Sequence, residues 1–174
     1  MSKVRGVVLG GLAGVALAAA AGIHFMPGLI LTEQPSPFGV EETVAKLQQK
    51  AVDMGWVVSG VIPLNDSVKK HGGGDLPPVR LINLCQANHA FSILQEDANK
   101  VLSVMMPCTI SVYEKTDGKT YVGTMNAGLL GKMFGGTVAR VMGGEVAAQQ
   151  KEFLSALQEE GFRPGAGVAI RRGG

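Results

Sequence analysis

The sequence predicts an α+β fold: a single mixed sheet of about four strands packed with helices, preceded by one N-terminal transmembrane helix. Three observations predict this class. Amphipathic helical patterns alternate with short β-branched runs, an Asp117-Gly118 pair separates two strand-like segments, and the residues before Thr32 are almost wholly apolar. Helices and strands in mixed order are typical of one sheet with helices packed against it.

Residues 1–31 predict an N-terminal membrane anchor. From Gly6 to Ile23 the chain carries no charged side chain, and the apolar run continues to Leu31. Roughly 20 apolar residues span a bilayer core as a helix. Because Lys3 and Arg5 precede this run, the positive-inside rule predicts a single pass through a bacterial inner membrane, with the N-terminus cytoplasmic and the domain in the periplasm or outside. A cleaved signal peptide is the alternative, because Ala18-Ala19-Ala20 within this run offers a small-residue cleavage pattern. Cleavage would send the domain to the same compartment.

Small residues recur every four positions within this apolar run, at Gly6, Gly10, Gly14, Ala18 and Gly22. Such spacing places them on one face of a helix, where another helix can approach closely in lipid. We therefore expect membrane-helix packing through these residues, either with a second copy of the chain or with a larger membrane complex.

The segment 32–38, TEQPSPF, is predicted to be a linker stiffened by its two prolines. The domain is expected to follow over residues 39–162. Its first helix is predicted by an apolar stripe at helical spacing, formed by Val40, Val44, Leu47, Ala51 and Met54. The β-branched run Trp56–Ile62 then predicts a strand, and Asn65 to His71 a short helix.

The centre of the domain is predicted to be a strand, a helix and a hairpin. Val79–Cys85 is the strand, and Asn88 to Asp97 is the helix that follows it. The form of the apolar run Val101 to Met106 stays open. Strands over Thr109–Glu114 and Thr120–Met125 are predicted on either side of the Asp-Gly turn, which is a strong hairpin signal.

The C-terminal part begins with a glycine-rich apolar stretch, Leu129 to Gly136. We expect it to be a flexible cover over a pocket, a protein contact or an irregular connection to the last helix. A long helix is predicted from Thr137 to Glu160, and residues 163–174 predict a flexible basic tail.

Charge and composition argue against a nucleic-acid partner. The chain has 16 Lys and Arg against 14 Asp and Glu, and once Lys3 and Arg5 are set aside the two signs balance. Nucleic-acid binding needs a concentrated positive field, and stacking platforms need more aromatic residues than this chain has. No Gly-x-Ser-x-Gly elbow or dinucleotide fingerprint is present, so an enzyme is the less favoured class.

Cys85 and Cys108 are the residues best suited to chemistry, and three interpretations of them stay open. They are buried free thiols, a disulfide, or part of a metal or redox centre. With His89 and the thioethers of Met105 or Met106, the thiolates would suit copper(I), and the Cys and His pair would suit zinc. Covalent haem is excluded because no Cys-x-x-Cys-His exists, while haem held by His89 and a Met stays open.

Several short motifs, in order and spacing, resemble a known family. They are Gly39-Val-Glu-Glu-Thr43, Gly55-Trp-Val-Val58, Pro78-Val-Arg-Leu-Ile82, Leu84-Cys85, Met106-Pro107-Cys108, the hairpin from Val112 to Lys119, and Met125-Asn126. Over roughly Gly39 to Phe153 the chain resembles the family catalogued as domain of unknown function 302. The chain has Gln86-Ala87 where that family usually has Asn-Pro. The resemblance implies a compact α/β domain that often pairs as a dimer, and it implies no activity.

Three functions are therefore expected, in order of preference. The first is a membrane-anchored, externally facing binding or accessory subunit that associates with itself or with a larger membrane complex. The second is a thiol or metal centre (copper, zinc or haem) on Cys85 and Cys108, with His89, in electron transfer, sulfur handling or metal handling. The third is an enzyme acting on a small molecule, with a pocket near Leu129–Phe134.

Overall fold

Five strands form one sheet in the computed structural model, which describes residues 28–158. They are β1 (Leu31–Ser36), β2 (Val57–Pro63), β3 (Val79–Cys85), β4 (Cys108–Glu114) and β5 (Thr120–Met125). Their order across the sheet is β1-β5-β4-β3-β2, and every neighbouring pair is antiparallel. The two edges of the sheet are therefore β1 and β2.

The helical elements lie between the strands and at the C-terminal end of the described chain. They are α1 (Val40–Asp53), α2 (Leu64–Lys70), α3 (Ala87–Leu94), a 3₁₀ segment (Asp97–Met105), α4 (Ala127–Phe134), α5 (Gly136–Arg140), a π-helical turn (Val141–Val146) and α6 (Ala147–Ser155). The last three elements follow one another without a break.

One face of the sheet carries the core. Ile82 and Leu84 of β3 alternate with less buried residues, as do Ile110 and Val112 of β4 and Val122 of β5. In a strand, alternate side chains point to opposite faces, so these residues lie on one side, where α1 and the C-terminal helices complete the cluster. The fold is thus a sheet with helices against one face, which confirms the predicted α+β class.

The predicted helix over Val40–Met54, the strand Val79–Cys85 and the hairpin are confirmed, with β4 starting one residue early. The predicted mixed sheet of about four strands is wrong, because the sheet has five strands and all pairs are antiparallel. The fifth strand is β1, which occupies most of the segment expected to be a linker. The sequence did not predict this strand because a proline, here Pro35, argues against a strand in the middle of a sheet. Proline is tolerated in β1 because β1 is an edge strand.

The glycine-rich stretch Leu129 to Gly136 is largely helical, since α4 covers Ala127–Phe134. The single helix expected from Thr137 is instead α5, the π-helical turn and α6. In the undecided run Val101 to Met106, all residues but Met106 belong to the 3₁₀ segment. The helix expected to reach Asp97 ends at Leu94, and Asp97 begins the 3₁₀ segment.

The predicted anchor and its small-residue ladder at Gly6, Gly10, Gly14, Ala18 and Gly22 lie outside the described residues, as does the tail 163–174. Leu31, expected to close the anchor, instead begins β1 and pairs with Met125. Within residues 28–158 no helix is both long enough and apolar enough to cross a membrane.

Candidate functional site

A narrow apolar cavity lies where β3 ends and β4 begins, beneath the helices. Its walls come from β3, α3, the 3₁₀ segment, β4, α4, α5 and the π-helical turn, and Trp56 closes one side. The centre of a water molecule can occupy about 40 Å³ of this space. Since one water needs roughly 10–15 Å³ by this measure, the enclosed part has room for about three water-sized groups. The cavity is only partly enclosed, so a longer apolar guest can enter with one end and extend outward with the other.

The cavity wall is almost entirely apolar. Its aliphatic and aromatic members are Trp56, Leu84, Ala90, Ile93, Leu102, Pro107, Leu130, Phe134, Val138 and Val146. The polar groups of Trp56, Gln86 and His89 in the wall already have partners inside the protein. The side-chain oxygen of Gln86 accepts the backbone N–H of His89 at 3.1 Å and so caps α3, and no lining residue carries a formal charge unless His89 is protonated. The space therefore suits an apolar guest.

Sulfur is the other feature of the wall. Met105, Met106 and Met142 contribute thioethers, and Cys85 and Cys108 are both among the lining residues. Methionine is flexible and polarizable, so it can adapt to guests of different shape. The Met-Met-Pro-Cys corner of the sequence is thus where three lining sulfurs come together.

The two cysteines are free thiols, so the structure has no disulfide between them. Cys108 pairs with Leu84 across the β3–β4 ladder and therefore points to the same face as the buried Leu84. Cys85 is the last residue of β3, and it lines the same cavity.

Burial raises the pKa of the Cys108 thiol, and the nearby Cys85 thiolate charge raises it further. A raised pKa keeps the thiol protonated at neutral pH, which makes it a weak nucleophile. In this state Cys108 acts as a small apolar wall group with a polarizable sulfur atom.

His89 is held by two side chains of the C-terminal helical run. Its Nε2 lies 3.0 Å from Oε1 of Gln149, and its Nδ1 lies 3.3 Å from Oε2 of Glu145. Glu145 is itself paired with Arg140 at 2.9 Å. Both ring nitrogens therefore face oxygen atoms of the protein.

Trp56 shares the same acceptor. Its indole N–H donates to Oε1 of Gln149 at 3.2 Å, and its ring meets His89 edge-on with 5.8 Å between ring centres. Phe153 packs against the indole in a second edge-on contact at 5.2 Å. Gln149 thereby fixes two aromatic side chains that line or border the cavity.

The predicted metal ligands are thus brought to one cavity wall without forming a cluster. Across residues 28–158 no group of three His, Cys, Asp or Glu side chains is placed to hold a metal ion. Since His89 is engaged by Gln149 and Glu145, the soft ligands left facing the cavity are sulfur atoms.

Helix α4 supplies the wall expected from the segment Leu129–Phe134. Leu130 and Phe134 line the cavity, and Asn126 caps the helix by accepting the backbone N–H of Leu129 at 3.0 Å. Gly131 lets α4 approach the π-helical turn, because a Cβ atom there would lie 2.3 Å from the backbone nitrogen of Gly143.

The sequence did not point to Trp56, Glu145 and Gln149 as site residues. Glu145 and Gln149 stand four residues apart, which places them on one helix face, and Trp56 is the only tryptophan. These two signals could have suggested a polar cluster, but only the fold brings it to His89.

The comparisons with known proteins give a family and a fold. Residues 32–160 match the family model described as domain of unknown function DUF302. The chain is similar to a crystal structure described as an uncharacterized conserved protein DUF302 from Bacillus stearothermophilus, with 18% identity and a TM-score of 0.61. The similarity covers 75% of this chain and 97% of that one. No curated protein matches the sequence. Because the family model covers most of the chain, this protein belongs to the DUF302 family.

Proposed function

We propose that the protein is a membrane-anchored, externally facing binding subunit whose domain takes a small apolar molecule into the sulfur-lined cavity. The observation that carries this proposal is the cavity wall, which is mostly apolar and whose Trp56, Gln86 and His89 side chains already make hydrogen bonds within the protein. A wall of this kind offers no charge to orient a polar reaction, so the proposal is binding and not catalysis.

The membrane part of the proposal rests on the sequence. The uncharged run from Gly6 to Ile23 supplies a span, and the small-residue ladder within it supplies a face for self-association or for packing on a larger membrane complex. On this account the anchor keeps the domain beside lipid, where apolar molecules concentrate.

Methionine methyl groups provide a direct test of binding. In protein labelled with ¹³C at the methionine methyls, titration with 1-hexanol should shift Met105, Met106 and Met142, which line the cavity, and leave Met54 unmoved. Saturable shifts confined to the lining methionines support the proposal. Equal, non-saturating shifts at all methionines would contradict it.

Filling the cavity gives the matched control. Ala90→Leu adds three carbon atoms to a wall position, whereas Ala98→Leu makes the same change at an exposed position outside the cavity. We expect the first substitution to abolish the hexanol-induced shifts and the second to preserve them, with both proteins folded by circular dichroism.

A second candidate function, copper(I) binding, is favoured by one specific observation. Cys108, Met105, Met106 and Met142 bring a thiol and three thioethers to one water-poor wall, and soft sulfur ligands select copper(I). Anaerobic copper(I) titration should then shift the same methionine methyls at one equivalent, and Cys108→Ser should remove the effect. Unmoved methyl signals at one equivalent would exclude this function.

A further inference from the structure

A second apolar cavity adjoins the one described above. The centre of a water molecule can again occupy about 40 Å³ of it, so it too has room for about three water-sized groups. Ile110 of β4, Met125 of β5, Ala127 of α4 and Phe153 of α6 line this space and do not line the first. We call the two spaces the first chamber and the second chamber.

The second chamber is as poor in charge as the first. Among the described residues that line it, none is acidic or basic. The hydroxyl of Thr109 donates to Oδ1 of Asn83 at 2.9 Å, and the side-chain amide of Gln150 donates to the backbone oxygen of Met125 at 2.7 Å. Since these polar groups have partners within the protein, the second chamber also suits an apolar guest.

Five residues line both chambers, and we call them the partition. They are Trp56, Leu84, Cys108, Met142 and Val146. The ring of Trp56 meets His89, which lines only the first chamber, and Phe153, which lines only the second. The two chambers are therefore direct neighbours.

Met142 is the member of the partition that can move at the least cost. Leu84 and Val146 are buried in the core, and the indole of Trp56 is held by its hydrogen bond. Cys108 is short and belongs to strand β4. Met142 is only partly buried, lies in the π-helical turn, and has a flexible, unbranched side chain. A change of its rotamer would join the chambers without moving the backbone.

We infer that the guest is an unbranched alkyl chain that passes Met142 and occupies both chambers. This inference rests on the proposed function, because it requires that the first chamber bind an apolar guest. Each chamber alone has room for about three water-sized groups, whereas the two together have room for about six. A straight chain is the narrowest apolar shape, so it can pass between side chains that stop a ring of the same carbon number.

A series of straight-chain alcohols from 1-propanol to 1-octanol tests the inference in the methionine-labelled full chain. Met125 lines the second chamber alone, so its methyl should shift with 1-hexanol and 1-octanol and stay unmoved with 1-propanol. Met105 and Met106 should shift with all three alcohols. The affinity should rise about fourfold for each added methylene, up to about six carbons. Cyclooctanol, which has as many carbons as 1-octanol, should leave Met125 unmoved.

Filling the second chamber alone gives the matched variant. Ala127→Leu adds three carbon atoms there, as Ala90→Leu does in the first chamber. The Ala127 variant should lose the Met125 shift and keep the shifts of Met105 and Met106, whereas the exposed Ala98→Leu should change none of them. If circular dichroism shows that Ala127→Leu does not fold, the alcohol series in the parent protein decides.

Two results would overturn the inference and leave the proposed function standing. Saturable shifts at Met105 and Met106, with none at Met125 for any alcohol, would mean that the guest stays in the first chamber and that longer chains extend outward. Saturable Met125 shifts with cyclooctanol as large as with 1-octanol would mean that the partition does not select a straight chain. A complete lack of saturable methionine shifts would instead defeat the proposed function, and the inference with it.

Discussion

Gly131→Ala tests whether close contact between α4 and the π-helical turn shapes the cavity. A Cβ atom at this position would lie 2.3 Å from the nitrogen and 2.6 Å from the Cα of Gly143. Carbon contacts are optimal near 3.5–4.0 Å, so the two segments must separate by roughly 1 Å. Both contacting atoms are backbone, so no side-chain rotation relieves the clash.

The energetic cost follows from overpacking, which typically amounts to about 1–3 kcal/mol. Alanine is favoured over glycine in a helix by up to about 1 kcal/mol, which offsets part of that cost. We therefore expect the free energy of unfolding, measured by urea denaturation, to fall by about 1–2 kcal/mol. The hexanol-induced shifts should weaken as well, because Leu130 and Phe134 move with α4.

Gly128→Ala is the matched control on the same helix. There the added Cβ would lie 3.4 Å from the side-chain oxygen of Asn126 and 3.7 Å from the Cβ of Ala147, which are ordinary contacts. This variant should be as stable as the parent protein or more stable by up to about 1 kcal/mol. If Gly131→Ala were equally stable and bound hexanol normally, the proposed role of the close approach would be refuted.

Three further predictions concern the polar groups. Gln149→Leu leaves the indole N–H of Trp56, the only tryptophan, without its acceptor. We therefore expect the free energy of unfolding, measured by urea denaturation, to fall by about 1–3 kcal/mol. The same substitution at the exposed Gln49 should change it little. Cys108 should react with iodoacetamide at pH 7.5 more slowly than in unfolded protein. Because its pKa is raised on folding, the free energy of unfolding should fall as the pH rises above 9.0, and Cys108→Ala should make this fall less steep. Burial and the Glu33 carboxylate raise the pKa of Tyr113 to about 12, so ultraviolet titration should show a late-ionising tyrosine that ionises earlier in Glu33→Gln; an unchanged titration curve would contradict this.

Local patterns predicted much of the fold because their signals are contained in neighbouring residues. The apolar stripe of α1 and the Asp-Gly turn between β4 and β5 both follow from chemistry within a few positions. Strand β1 could not be predicted in the same way. Its pairing with β5 joins segments far apart in the chain, and Pro35 obscures a strand that only an edge position permits.

The candidate site was predicted in part. The sequence singled out Cys85, Cys108 and His89, and the fold places all three in one cavity wall. It could not show that the two cysteines are free thiols, or that Gln149 and Glu145 contact the ring nitrogens of His89. Those facts depend on sheet register and on how the last helices return to α3, which sequence spacing alone does not determine.

The central claim is that the cavity binds a small apolar molecule, and the methionine methyl titration with 1-hexanol tests it most directly. The account predicts saturable shifts at Met105, Met106 and Met142, none at Met54, and loss of the shifts in Ala90→Leu but not in Ala98→Leu. Shifts that do not saturate, or that persist when the cavity is filled, would contradict it.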